Sequence, residues 1–397
     1  MTEPWLSIIG LGEDGLAGLS DGSRAALAAA RHVFGAPRHL ALSQVQARGT
    51  AWDVPFDIEP VLALRGQPVA LLASGDPFWF GAGGSICQQL PPGEWIAHPA
   101  PSTFSRAAAI LGWRLESVQC LGLHATPLSA VRPGLRRGQR LICLVRDGNA
   151  LLALAALVRE QGYAQATAWA LERLAGPLER VRAFQLDTPD HFGLSDLQAP
   201  LALALDLHTG PLGLPVSSGL PDALFAHDGQ ITKSPIRALT LRALAPRPGE
   251  CLWDLGAGSG SVSVEWCLAG GRSYAVEQQA SRADNIRQNA ERFGVAHRLS
   301  VVTANSRNAM AGLPAPDAVF VGGGFDAQLF DAITTAAGPG VRLVVNGVTL
   351  ETEALLLQLQ TRHGGELLQV AIAQAQPLGR LRAWQPSRPV VQWSARL

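Results

Sequence analysis

The chain has 397 residues, zero formal net charge at pH 7 and a pI near 7.1, which argues against nucleic acid or an anionic membrane surface as its main partner. Its 47% hydrophobic and 16% charged residues indicate well-buried cores, and the length suggests two domains of roughly 200 residues. Five scattered cysteines form no C-x-x-C pair, and neither a secretory signal nor an apolar run of spanning length is present, so no metal site, disulfide framework or membrane contact is expected, and the expected compartment is the cytoplasm.

In the first half, Leu6–Ile9, Val69–Ala73, Leu141–Val145 and Leu201–Leu205 read as strands, and Gly22–Ala30, Ser105–Leu111 and Ala150–Gln161 as helices. A glycine turn, Gly10-Leu-Gly-Glu-Asp-Gly15, follows the first strand directly. Its G-x-G-x-x-G spacing is that of a dinucleotide fingerprint, but Glu13 and Asp14 would stand where a pyrophosphate sits. No acid follows about twenty residues on, where Arg31-His-Val-Phe34 falls. The turn is better suited to a bulkier, cationic ligand. Ser74-Gly75-Asp76-Pro77 ends the second strand in a turn open to close contact. Ser102 and Thr103 place hydroxyls at a helix start. His32, His98, His124, His191 and His227 show no ligand spacing and read as structural.

Residues 208–220 are rich in Gly, Pro and Ser, lack any helical or strand period and read as a linker between domains 1–207 and 221–397. Beyond it, Ser234-Pro235 reads as an N-cap with proline at the first helical position, opening a helix to about Leu244. Strands near 251–254, 273–276, 299–302, 317–321 and 341–345 alternate with helices, the order of a doubly wound parallel sheet. All 32 basic residues except Lys233 are arginine, which singles out that lysine as a compact, flexible charge, although it would be equally ordinary on a surface.

The most informative segment is Cys251-Leu-Trp-Asp-Leu-Gly-Ala-Gly-Ser-Gly260, followed by an amphipathic stretch 261–268 and a second apolar run ending in Glu277. Gly256, Gly258 and Gly260 let a ligand press on bare backbone at a helix start, and Glu277 is placed to accept the hydroxyls of a ribose. Asp254 would repel a pyrophosphate but suits the cationic methionine end of S-adenosylmethionine (SAM). The segment therefore resembles motif I of the Rossmann-like class I SAM-dependent methyltransferases.

Taken in order, Gly10–Gly15, Gly75-Asp76-Pro77 and Pro101-Ser102-Thr103 resemble the tetrapyrrole methylase family, the class III methyltransferases. One departure is Glu13-Asp14, where many members of that family have proline after the second glycine. Joined to a class I half carrying Ile231-Thr-Lys-Ser-Pro-Ile-Arg237 and Asp317-Ala-Val-Phe-Val-Gly-Gly323, the chain is similar to the bifunctional precorrin methyltransferases of aerobic cobalamin biosynthesis. The resemblance implies two α/β domains, a tetrapyrrole-methylase-like one and a Rossmann-like doubly wound class I sheet.

It also implies one SAM site in each. In the second domain Asp254, Gly256, Gly258, Gly260, Glu277 and Asn305 would hold SAM. In the first, Gly10, Gly12, Gly75, Asp76, Pro77, Ser102 and Thr103 would shape a second site. Lys233, Arg237 and Asn346 would meet the substrate, a small reduced tetrapyrrole (precorrin-6B). C5 methylation falls to residues 1–207, and C15 methylation with loss of the C12 acetate carboxyl to residues 221–397. No motif marks the residues that carry decarboxylation. A homo-oligomer is implied as well. Two alternatives stay open: a methyltransferase for RNA or protein, of which the neutral charge disfavours RNA, and a SAM- or corrinoid-binding protein with one inactive half.

Overall fold

Short apolar runs broken by glycine and proline build three large sheets, beside one two-stranded hairpin, in the computed structural model, which describes residues 4–52, 57–188 and 191–397. The chain divides into two units, Met1–Leu128 with Gly134–Leu212, and Gly213–Leu397 with the segment Ser129–Pro133. The division at Leu212–Gly213 lies within the Gly/Pro/Ser-rich stretch 208–220.

In the first unit, β1 (Leu6–Leu11), β2 (His32–Gly35), β3 (Gly49–Ala51), β4 (Val69–Ser74) and β5 (Trp95–His98) form a parallel sheet in the order β3-β2-β4-β1-β5. Its central strands are buried on both faces, as their unbroken apolar sequences require. A second sheet contains β6 (Val118–Gly122), β7 (Arg140–Val145), β8 (Thr167–Glu172), β9 (Arg180–Gln185) and β10 (Leu201–Asp206), in the order β6-β7-β10-β8-β9. All its pairings are antiparallel except β6–β7. The helices expected near 22–30, 105–111 and 150–161 are Asp21–Ala29, Thr103–Leu111 and Gly148–Val158, the last continuing as a π turn over Arg159–Tyr163.

The second unit is a seven-stranded sheet in the order β13-β12-β11-β14-β15-β19-β16. Five strands are parallel: β11 (Cys251–Leu255), β12 (Arg272–Glu277), β13 (Leu299–Thr303), β14 (Ala318–Val321) and β15 (Arg342–Gly347). The antiparallel edge is β16 (Glu366–Val370) and β19 (Val390–Arg396), between which the chain makes a hairpin of β17 (Ala373–Leu378) and β18 (Leu381–Pro386) exposed along its whole length. The helix Ser261–Leu268 is buried along nearly its whole length rather than amphipathic, because helices on both sides pack against it and Trp266 and Val264 lie wholly inside. One core cluster on each face of the sheet, around Trp266 and around Trp253 and Trp393, fixes the strand ends on which the site is built.

Trp393 is fully buried in β19, and its indole N–H donates to the Gly364 carbonyl at 2.9 Å. Trp393→Ala is expected to destabilise the second unit by about 3–5 kcal/mol, seen as a lower urea midpoint at unchanged slope.

Candidate active sites

In the second unit, β11 runs into the turn Gly256–Gly260 and then the helix Ser261–Leu268. Gly256 and Gly258 have φ of 72° and 58°, conformations that β-carbons disfavour. A Cβ on them would stand 3.1 Å from the Gly323 carbonyl oxygen and 3.2 Å from that of Gln230. Bare backbone therefore lines the floor of a cavity of about 710 Å³ at the carboxyl ends of the parallel strands. Glu277, at the tip of β12, accepts the Gly258 N–H through Oε2 and the Gln279 N–H through Oε1, both at 2.9 Å. These bonds fix a carboxylate at the cavity wall.

Lys233, Asn305 and Asn346 also line this cavity. Asn305 spends its side-chain oxygen capping the short helix Ser306–Ala309, through the Arg307 N–H at 3.0 Å. Asn346 is buried; its amide donates to Thr240 Oγ1, and its oxygen accepts from Gln392. Gln230, Thr232, Gly322 and Gly323 join the lining; none of these was named as a site residue, although Thr232 lies in the Ile231–Arg237 segment and the two glycines in the Asp317–Gly323 segment.

Three residues of the expected set stand elsewhere. Gly260 packs beneath the turn, where a Cβ would meet Ile286 at 2.7 Å, so its glycine serves helix packing. Asp254 is buried behind the turn, its Oδ2 accepting from the Ser263 hydroxyl at 2.6 Å and the Ser263 N–H at 3.3 Å. Burial pushes its carboxyl up to about 6, against the two Ser263 hydrogen bonds, and the nearby Glu277 charge adds to the rise.

Arg237 is the clearest correction. Its side chain is wholly buried and four of its five N–H groups are spoken for: Nε bonds Glu265 at 2.6 Å, Nη1 bonds Asp222 at 3.1 Å and the Thr232 carbonyl, and Nη2 bonds the Leu220 carbonyl. The guanidinium also lies 4.8 Å from the Phe225 ring centre. Glu265 in turn accepts the Gly219 and Leu220 N–H groups. Arg237 thus ties down the segment that carries Lys233, and its complete burial keeps it from a substrate. The helix Ser234–Leu244 has Lys233, not Ser234, at its cap; the Ser234 hydroxyl donates to the Gly219 carbonyl at 2.7 Å instead.

In the first unit, Gly12, Gly75, Asp76, Ser102 and Thr103 line a cavity of about 640 Å³. Gly75 has φ of 55°, Asp76 accepts the Phe78 N–H at 2.9 Å, and Ser102 caps the helix Thr103–Leu111. Gly10 and Pro77 are not in the lining. Gly10 lets two loops meet, since a Cβ there would fall 1.9 Å from the Gly75 oxygen, and Pro77 packs against Gly81 and Gly83. The two acids of the turn are compensated, Glu13 by Arg38 and Asp14 by Arg106 at 3.1 Å.

Sequence reasoning missed Arg38 and His39, which line this cavity and meet at Ser74; His39 Nε2 is 2.9 Å from the Ser74 hydroxyl. Burial first, then the Arg38 charge, pushes His39 down to about 4. His124 lines the same cavity, whereas His32 pairs with Gln67 and His227 accepts the Gly229 N–H. His98 is half-buried, and the side chain of His191 lies outside the described residues.

Residues 6–190 match the family of tetrapyrrole (corrin/porphyrin) methylases, and residues 223–397 match the precorrin methyltransferase domain. A curated relative from Sinorhizobium sp, named precorrin-6Y C(5,15)-methyltransferase [decarboxylating], is 43% identical over 99% of this chain and 97% of its own. A shorter relative from Pyrobaculum aerophilum, named probable cobalt-precorrin-6B C(15)-methyltransferase (decarboxylating), is 34% identical over 43% of this chain and 92% of its own. A crystal structure of the C-terminal domain of precorrin-6Y C5,15-methyltransferase from Rhodobacter capsulatus is 55% identical over 46% of this chain and all of that one, with a TM-score of 0.46.

Two predictions follow from the geometry of the second unit. Arg237→Ala leaves Glu265 buried without its partner and is expected to cost about 3–5 kcal/mol in urea unfolding; Arg237→Lys, lacking the planar fork, recovers only part. Between about 3.8 and about 6 the folded chain keeps a proton on Asp254 that the unfolded chain releases, so this group's contribution to stability falls as pH rises through that window. Asp254→Asn is therefore expected to gain on the wild type across that interval and to run parallel to it at higher pH.

Proposed function

The chain belongs to the precorrin-6Y C(5,15)-methyltransferase (decarboxylating) family, and we propose that it methylates C5 and C15 of a reduced precorrin, precorrin-6B, and removes the C12 acetate carboxyl to give precorrin-8. The observation that carries this reading is a glycine-floored cavity at strand ends in each unit, in a chain matched almost end to end by a relative of that name. Methyltransferases of this family use SAM, which supplies an electrophilic methyl group when bound. The proposal assigns one SAM site to each unit.

The second cavity suits SAM in its own chemistry. Glu277 is held to accept both ribose hydroxyls, and the Gly256–Gly258 backbone admits a ligand that a side chain would exclude. Asn305 borders the adenine side in this reading. The acceptor carbons of the precorrin are enamine-like and already nucleophilic, so the residues chiefly align. Holding reactants in line can supply on the order of 7–11 kcal/mol of barrier reduction. In decarboxylation the electrons of the breaking C–C bond pass into the ring's protonated imine as carbon dioxide leaves. The buried side chains Phe320, Leu329 and Val390 offer the dry wall that favours this loss of charge.

C15 methylation and decarboxylation are assigned to the second unit, and C5 methylation to the first. The Pyrobaculum aerophilum relative supports a separable C15 and decarboxylating activity, because it is named for those steps and covers a share of this chain close to that of one unit. Association into a homo-oligomer belongs to the same proposal; the exposed Leu378, Leu381 and Trp384 of the β17–β18 hairpin are apolar surface that a second copy would cover. Action in the cytoplasm on a small soluble substrate is part of this reading too.

Calorimetric titration with S-adenosylhomocysteine is expected to give two sites per chain. Gly258→Arg, which fills the turn of the second unit, is expected to remove one of them. The same variant should lower carbon dioxide release and C15 methylation by at least about a hundredfold while C5 methylation continues. Decarboxylation at the wild-type rate in Gly258→Arg would overturn the assignment of roles.

A further inference from the structure

The lining of the second unit's cavity holds a cation that neither SAM nor a neighbouring carboxylate accounts for. Its lining holds four cationic side chains, Lys233, Arg282, Arg307 and Arg388, against a single carboxylate, Glu277. SAM, with its sulfonium, ammonium and carboxylate, is itself net cationic, so it gives no reason for an extra cation.

The cations are not equivalent. Arg282 is bound to Asp228 at 2.8 Å, and Arg307 is bound to Asp326 and Gln328. Lys233 stands 3.9 Å from Asp222, a carboxylate already shared with Arg237. Arg388 alone among the four has no hydrogen-bond or ion-pair partner among the described residues.

Its place in the fold separates it from the SAM end. Arg388 lies two residues before β19 begins at Val390, and β19 runs antiparallel to β15, with Gly347 opposite Val391. The start of β19 is therefore on the same edge of the sheet as the carboxyl ends of the parallel strands. Along that edge the order is β12, β11, β14, β15, β19. Glu277 ends β12, so Arg388 is four strand spacings away, roughly 19 Å at about 4.8 Å each. The glycine turn after β11 is three spacings away, roughly 14 Å. The backbone carrying Arg388 is also fixed. The Ser387 N–H donates to the Ile372 carbonyl at 2.8 Å across the neck of the hairpin, and Val390 pairs with Val370.

We propose that Arg388 is a specificity-determining residue that receives a carboxylate arm of the methyl acceptor at the end of the cavity remote from SAM. The inference rests on the second unit's being the site of precorrin chemistry, and it explains what the unpaired guanidinium is for. A planar guanidinium with no partner of its own can take a carboxylate through two parallel hydrogen bonds, which fixes direction as well as position. A large acceptor with several acid arms would then be oriented over the reacting methyl by its distal arm.

The test is Arg388→Gln, with Arg388→Lys beside it, on the full chain. The reduced precorrin is assayed by carbon dioxide release, and the binding of a stable polycarboxylate porphyrin is followed by fluorescence quenching. The Gln variant is expected to raise the precorrin KM and the porphyrin Kd roughly tenfold, with S-adenosylhomocysteine affinity unchanged and kcat less affected than KM. The Lys variant should recover part of the loss. The porphyrin's methyl ester should bind wild type and Gln variant alike.

Unchanged KM and porphyrin Kd in Arg388→Gln would overturn the proposal. So would a selective loss of S-adenosylhomocysteine affinity, which would put Arg388 on the cofactor's own carboxylate. If wild type releases no carbon dioxide yet its porphyrin binding depends on Arg388, the proposed reaction fails and the carboxylate site stands.

Discussion

The buried Arg237–Glu265 pair is the contact on which the second site depends. Arg237 also binds the Thr232 and Leu220 carbonyls, and Glu265 accepts the Gly219 and Leu220 N–H groups. One ion pair thereby closes the segment from 219 to 237 onto the helix that follows the glycine turn. That closure brings the Gln230 carbonyl against Gly258 and sets Lys233 in the cavity wall. A buried pair of this kind adds little net stability over a well-packed apolar core, because desolvating two charges offsets much of their attraction. Its value lies in specificity: the many hydrogen bonds around it are satisfied in one arrangement of the chain only.

The two units reach similar ends by different electrostatics. Each places glycines where a strand gives way to a loop, and each opens a cavity there. In the first, Glu13 and Asp14 are matched by Arg38 and Arg106, so the turn offers shape with its charges compensated. In the second, Glu277 is held by backbone N–H groups and has no cationic partner among the described residues. Its charge therefore remains available to a ligand's hydroxyls. The cations of that cavity are spread along the sheet edge, and all but Arg388 already face a carboxylate.

Family membership and the physical reading support each other without being the same argument. Similarity along nearly the whole chain says which reactions belong to the family. The cavities say where in this chain such reactions could be housed, and which residues can no longer be asked to take part. Arg237 illustrates the second point: a segment can be diagnostic of a family because it builds the site, not because each of its residues touches the substrate.

What the sequence determined by itself was everything written in local order. Strand–turn–helix patterns, three alternate glycines and an acid at the next strand tip placed β11, β12 and Glu277, because period, turn chemistry and strand length are properties of neighbouring residues. The two-domain plan and the first unit's loops were legible for the same reason. Tertiary structure decided which of those residues face the cavity. Gly10, Gly260, Asp254 and Arg237 sit in the right segments yet serve packing, helix entry and closure, while His39 and Arg388 come into cavities from segments with no motif. Orientation and partnership depend on groups brought together from far along the chain, such as Glu265 for Arg237 and Ile372 for the backbone beside Arg388, and no local pattern encodes them.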